Sequence, residues 1–198
     1  MPGLLLATSN LGKIKEYCFL LDGLGYQIKT LTEQGITKTV TEFGNSYEQN
    51  AQLKATAYAE LSQIITLADD SGLEVDALDG KPGIYSARFA GKNTTDTDRV
   101  KFLLAKLDGI PWKQRAAHFK CVIAIAMPGG RLELCYGECH GIIAFEAKGE
   151  NGFGYDPIFY LPDIGKTMAE VTFDIKNQIS HRAQASKKSR QVLLQLRD

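Results

Sequence analysis

No stretch of this 198-residue chain approaches the roughly 18 consecutive apolar residues that a membrane span requires. The first residues also lack the basic flank and apolar core of a secretory signal. These two absences make a soluble cytoplasmic protein, with no membrane partner, the expectation. Cysteine is sparse: Cys18, Cys121, Cys135 and Cys139 are scattered without a C-x-x-C pair, so a disulfide scaffold is not indicated. A zinc site built from Cys135, Cys139 and His140 fails on distance. A regular strand holds the two cysteines about 13 Å apart, far beyond shared ligation at about 2.3 Å. Charge of either sign is not in excess, with 23 basic and 23 acidic side chains, which removes support for a nucleic-acid-coating surface. Repeats, low-complexity tracts and linkers are missing as well. What remains, 44% apolar and 23% charged residues, is ordinary globular composition. It predicts one domain over residues 1–198, undivided or of two lobes sharing a sheet.

What is present is organised around residues 64–73. The apolar run Ile64-Ile65-Thr66-Leu67-Ala68 ends in two adjacent carboxylates, Asp69 and Asp70, followed by a predicted Ser71-Gly72 turn. A buried strand delivering acids to a turn presents fixed negative charge, which can hold a divalent metal or deprotonate a water. Taken alone, the same pattern also reads as a polar strand end whose Asp and Ser satisfy turn amides.

Around this segment the chain reads as alternating strands and helices. Residues 3–7 form a short, nearly continuous apolar run that predicts an inner strand, leading through Thr8-Ser9-Asn10 into a helix over 12–21 with Ile14, Tyr17, Cys18 and Leu21 on one stripe. Amides at such a helix mouth attract phosphate, and Lys13 adds a point charge. Residues 26–31 predict a second strand, and 37–42 a third strand or an extended loop ending at Glu42. Asn45-Ser46-Tyr47-Glu48 resembles a capping box opening a helix to about residue 62, on which Asn50 and Lys54 share a face. Residues 73–78 alternate in strand fashion, Thr95 caps a scaffold helix, and 118–127 with 131–139 form the clearest hairpin. Residues 148–157 pack glycines around Phe153, Tyr155 and Asp156, a loop that lets a flat ring approach the backbone. A terminal amphipathic helix over 183–196, capped by Ser180, carries Lys187, Lys188 and Arg190 on a predicted solvated face.

Taken together, the motifs Thr8-Ser9-Asn10-Leu11-Gly12-Lys13, Ala68-Asp69-Asp70-Ser71-Gly72-Leu73, Pro82-Gly83-Ile84-Tyr85-Ser86-Ala87-Arg88, Gly152-Phe153-Gly154-Tyr155-Asp156-Pro157 and Ser180-His181-Arg182 resemble, in order, those of the inosine triphosphate pyrophosphatase family. The likeness spans residues 6–185. It implies an α/β fold with a long, twisted mixed sheet flanked by helices, two lobes enclosing an active-site cleft, and a homodimer. It also implies Mg2+-dependent hydrolysis of ITP, dITP and XTP to the monophosphate and pyrophosphate, which removes damaged purines from the nucleotide pool.

By the same resemblance, Thr8, Ser9, Asn10, Leu11, Gly12 and Lys13 hold the triphosphate. Asp70 is proton acceptor and metal ligand, Glu42 a second metal ligand, and Ser71 a substrate contact. Phe153, Gly154, Tyr155 and Asp156 cradle the base, Lys176 contacts substrate, and His181 and Arg182 read the purine edge. Residues alone do not choose between Asp69 and Asp70; the family match favours Asp70. Ala147-Lys148-Gly149 departs from the family's usual Pro-Arg-Gly, and Asp174-Ile175 stands where acidic residues are common. The rival readings are a catalytically silent nucleotide-binding module and a Maf-like pyrophosphatase acting on pyrimidine or methylated nucleotides.

Overall fold

A computed structural model describes residues 1–197. Seven strands form one mixed sheet in the order β2-β1-β3-β4-β5-β6-β7. They are β1 (Gly3–Leu6), β2 (Gln27–Thr30), β3 (Ile65–Val75), β4 (Ala116–Ala126), β5 (Leu132–Ile143), β6 (Phe159–Leu161) and β7 (Lys166–Thr167). Strand β1 pairs in parallel with β2 and β3, whereas β5 with β6 and β6 with β7 are antiparallel. The helices are α1 (Leu11–Leu20), α2 (Tyr47–Ser62), α3 (Asp96–Lys106), α4 (Phe173–Ile179) and α5 (His181–Arg197). The expected α/β class with a mixed sheet is therefore the fold adopted. No helix among the described residues is long and apolar enough to cross a membrane.

The chain divides into two compact units: residues 1–70, 121–137 and 182 onward in the first, residues 71–120 and 138–181 in the second. Each has its own apolar core. In the first, Leu4, Leu6, Tyr17, Leu67, Cys121, Ile123 and Leu193 pack together, and burying each large side chain contributes about 1.5–3 kcal/mol. Asn10 caps α1 by accepting the Lys13 N–H at 3.0 Å, and Ser46 caps α2 by accepting that of Gln49. Helix α1 turns Glu16 and Tyr17 inward and leaves Cys18 exposed, so the predicted stripe is only partly right. Arg190, expected on a solvated face, donates instead to the carbonyls of Leu20 and Asp22, both at 2.8 Å. A cation at the end of α1 satisfies orphan carbonyls there.

The second unit packs Leu73, Val75, Leu103, Leu107, Phe119, Ile143, Phe159 and Met168. Thr95 and Asp98 form a reciprocal capping box on α3. Buried Arg115 donates to the carbonyls of Ile143 (2.7 Å), Leu107 (2.8 Å) and Ala144 (3.0 Å), tying the end of α3 to the end of β5.

The largest correction concerns residues 69–72. There is no Ser71-Gly72 turn: β3 continues through both acids to Val75 and only then winds into a short 3-10 turn, Asp76–Leu78. A strand between two neighbours keeps its ladder, and side chains from elsewhere neutralise its carboxylates, so polarity alone does not end it. Residues 37–42 form an extended loop rather than a strand. The hairpin strands are longer than expected, joined where the Met127 N–H donates to the Arg131 carbonyl at 2.9 Å.

Candidate active site

Within the first unit, the strand alternation of β3 sends neighbouring acids to different partners. Lys13 Nζ lies 3.0 Å from Asp69 Oδ1 and 2.9 Å from Oδ2. Arg182 Nη2 lies 3.5 Å from Oδ2, while its Nη1 pairs with Glu16 at 2.6 Å. Burial alone would raise the Asp69 carboxyl, but Lys13, Arg182 and Lys54 outweigh it and hold this group well below the ordinary carboxylate range. This environment makes Asp69 a weaker base than an ordinary carboxylate and suits it to positioning Lys13.

Asp70 has a different environment. Its Oδ2 accepts from Asn50 Nδ2 at 3.0 Å, and Lys54 Nζ stands 4.0 Å from its Oδ1. The same Lys54 ammonium pairs with Glu42 at 3.1 Å and donates to the Asp69 carbonyl at 2.7 Å. Burial is the largest influence on Asp70; Glu42 adds to it, while Lys54, Asn50 and Lys13 oppose it, and the balance raises its proton affinity. A carboxylate more basic than usual is what a proton acceptor needs. Glu42 and Asp70 already converge on one positive charge, the Lys54 ammonium. Two hard oxygen donors of this kind also suit a divalent cation whose remaining positions go to phosphate oxygens and water, so the donor set fits magnesium.

The segment 8–13 forms the mouth of α1. Thr8 Oγ1 accepts the Asn10 N–H at 3.2 Å and Leu11 is 80% exposed; helix mouths of this kind attract anions.

In the second unit, loop 148–157 is held from several sides. Gly154 N–H donates to Asp96 Oδ2 at 2.6 Å, Asn151 Nδ2 to the Val171 carbonyl at 3.0 Å, and Phe153 N–H to Asp156 Oδ2 at 2.9 Å. Lys176 forms a buried ion pair with Asp156, and its ammonium sits 4.6 Å from the centre of the Phe153 ring. Gly152 has φ +78°, and a Cβ there would collide with Asp156 Oδ2 and come within 3.0 Å of Lys176 Nζ. Tyr155 lies in the core, its hydroxyl donating to the Ser86 carbonyl at 2.9 Å, and burial pushes that hydroxyl up to about 12. Of the two loop aromatics, only Phe153 keeps a partly exposed ring. His181 stacks on Phe119 with ring centres 4.7 Å apart. Ser71 follows Asp70 within β3 and is half-buried.

The structure thus gathers Lys13, Glu42, Asp69, Asp70 and Arg182 in the first unit, and Phe153, Asp156 and Lys176 in the second. Arg182 is buried against Glu16 and Asp69, partners the resemblance does not imply. Four residues in these networks were not singled out as site residues. Asn50 and Lys54 had a visible signal in their shared helical face, and Asp96 in its place beside the Thr95 cap. Glu16 had none, because an acid inside a helix usually faces water.

The sequence model of the Ham1 family matches residues 4–192. A dITP/XTP pyrophosphatase of Desulforamulus reducens is 52% identical over 194 residues, 98% of this chain and 96% of that protein. Another from Bacillus subtilis is 46% identical over 193 residues, covering 98% of each. Among solved structures, a HAM1 protein from Coxiella burnetii superposes with a TM-score of 0.89 at 40% identity, covering 98% of this chain and all of that one.

Proposed function

Since this chain belongs to the Ham1 family, we propose that it hydrolyses the α–β phosphoanhydride of dITP, ITP and XTP, releasing the nucleoside monophosphate and pyrophosphate with magnesium as cofactor. The observation that carries this reading is the different company of the neighbouring acids: Asp69 is paired with Lys13 and Arg182, whereas Asp70 accepts from Asn50 beside Glu42 and Lys54. Asp70 accepts the proton of the attacking water. Lys13, oriented by Asp69, and the α1 amides offset the charge of the triphosphate. Glu42 and Asp70 would hold the magnesium, which when bound would supply charge neutralisation at the phosphates and at the pyrophosphate leaving group.

Phe153 offers its ring to the base, and Lys176 with Asp156 keeps that ring in place. His181 and Arg182 donate to the 6-oxo group of hypoxanthine or xanthine, where adenine presents an amino donor. Each unsatisfied buried donor then costs about 1–3 kcal/mol, one to two decades of discrimination. The reading extends to one two-lobed domain acting in the cytoplasm as a homodimer, which light scattering on the eluting protein would check. Purified protein given ITP and magnesium should yield IMP and pyrophosphate. Formation of IDP and orthophosphate would overturn the assignment.

A further inference from the structure

One cluster lies apart from the residues assigned above. In the second unit, His118 on β4 and His140 on β5 turn their Nδ1 atoms toward each other at 3.3 Å, with the rings nearly perpendicular and 5.2 Å apart. His118 Nε2 lies 2.9 Å from Asp76 Oδ1, in the turn that follows β3. Glu138 precedes His140 by two residues on the same face of β5, its Oε1 3.9 Å from His140 Nε2. One donor atom from each of His118, Glu138 and His140 lies within 4.8 Å of those of the other two.

We propose that His118, Glu138 and His140 form a binding site for a divalent transition-metal ion, zinc being the natural occupant, distinct from the Glu42 and Asp70 pair. Tetrahedral zinc with nitrogen ligands at about 2.0–2.1 Å sets neighbouring ligand atoms about 3.3–3.4 Å apart, the spacing the two Nδ1 atoms already have. Asp76 Oδ1 stands within hydrogen-bond reach of His118 Nε2, so a hydrogen carried on Nε2 leaves the Nδ1 lone pair directed at His140. This is the carboxylate–histidine arrangement that fixes the tautomer and ring orientation of a metal ligand. Without an ion, a proton must lie between the two nitrogens for the contact to be attractive; a metal displaces that proton and satisfies both lone pairs.

Glu138 is the third ligand, and because His140 is largely exposed, water takes the fourth position. Two imidazoles and one carboxylate favour zinc, cobalt or nickel over magnesium, so the ion used in hydrolysis does not compete here. A bound ion ties β4 to β5 and, through Asp76, to the turn after β3, cross-linking the second unit without entering the reaction.

The test uses untagged, chelator-stripped protein titrated with zinc in excess magnesium, which occupies the hard oxygen donors. One zinc per chain is expected for the wild type, with a rise in melting temperature. Binding should be lost in His118→Gln and His140→Gln and weakened about 10- to 100-fold in Asp76→Asn. Cobalt should give the visible bands of tetrahedral coordination in the wild type and none in His140→Gln. Magnesium-dependent ITP turnover and the metal-free melting temperature should be unchanged in these variants, which separates this site from the reaction assigned above. Equal zinc uptake by the wild type and the double histidine variant, or no uptake by either, would overturn the site and leave the two rings as a hydrogen-bonded surface pair.

Discussion

Lys13 with Asp69 and Lys176 with Asp156 are the same chemical pair on two different scaffolds. Asp69 sits in the middle of β3, where the ladder already fixes its position, and several cations come to it. Asp156 opens a short 3-10 turn at the end of a glycine-rich loop. There the acid gathers the Phe153 N–H and the Lys176 ammonium. In the first case the strand holds the acid and the acid tunes the charge around it. In the second the ion pair holds the loop. A buried ion pair need not add net stability, but removing one partner is costly in either setting, because it strands the other charge away from water.

The largest expected effect separates Asp70 from its neighbour. Asp70→Asn should lower kcat for ITP by about 10²–10⁴-fold while the protein remains folded, since Asn preserves the shape and removes a charge that burial opposes; steady-state assays beside thermal melts measure both. Asp69→Asn should act the other way, costing about 3–5 kcal/mol of stability because Lys13 and Arg182 lose a buried counter-charge. Denaturant titration measures that loss. If Asp69→Asn proved stable but inactive, and Asp70→Asn unstable, the two roles would have to be exchanged.

On the loop, Gly152→Ala should cost about 1–3 kcal/mol from its left-handed backbone and the collision with Asp156. If the loop serves the base as proposed, the substitution should raise KM for ITP more than it lowers kcat. An unchanged KM would deny the loop that task.

The smallest effects are those of pH. Asp69 binds its proton less tightly in the folded chain than in the unfolded one. Its contribution is therefore present above the ordinary carboxylate value of about 3.9 and is lost as pH falls below it. Asp69→Asn should flatten the acid limb of the stability curve. Asp70 has the opposite sign: the folded state holds its proton more tightly, so stability declines as pH rises from the ordinary value through the raised one. Both signs belong to the metal-free protein, where stability curves of the wild type and of Asp70→Asn, compared over that interval, read the Asp70 contribution directly.

Local chemistry was legible wherever it is decided within a few residues. Asn10, Ser46 and Thr95 cap the helices they announce, and Leu4–Leu6 of β1 with Thr66–Ala68 of β3 are buried as read. The error at Ser71-Gly72 has a physical cause: a polar stretch looks like a chain reversal when its neutralising partners are out of sight. Asn50 is 20 residues from Asp70, Lys13 56 from Asp69, and Arg182 166 from Glu16.

Residue order was therefore sufficient for the α/β class, the strand and helix alternation and the family, because periodicity, caps and ordered motifs are properties of neighbouring positions. What the tertiary structure alone supplied is the difference in surroundings between Asp69 and Asp70. Two identical side chains differ only through burial and the charges brought beside them, and those charges arrive from distant parts of the chain.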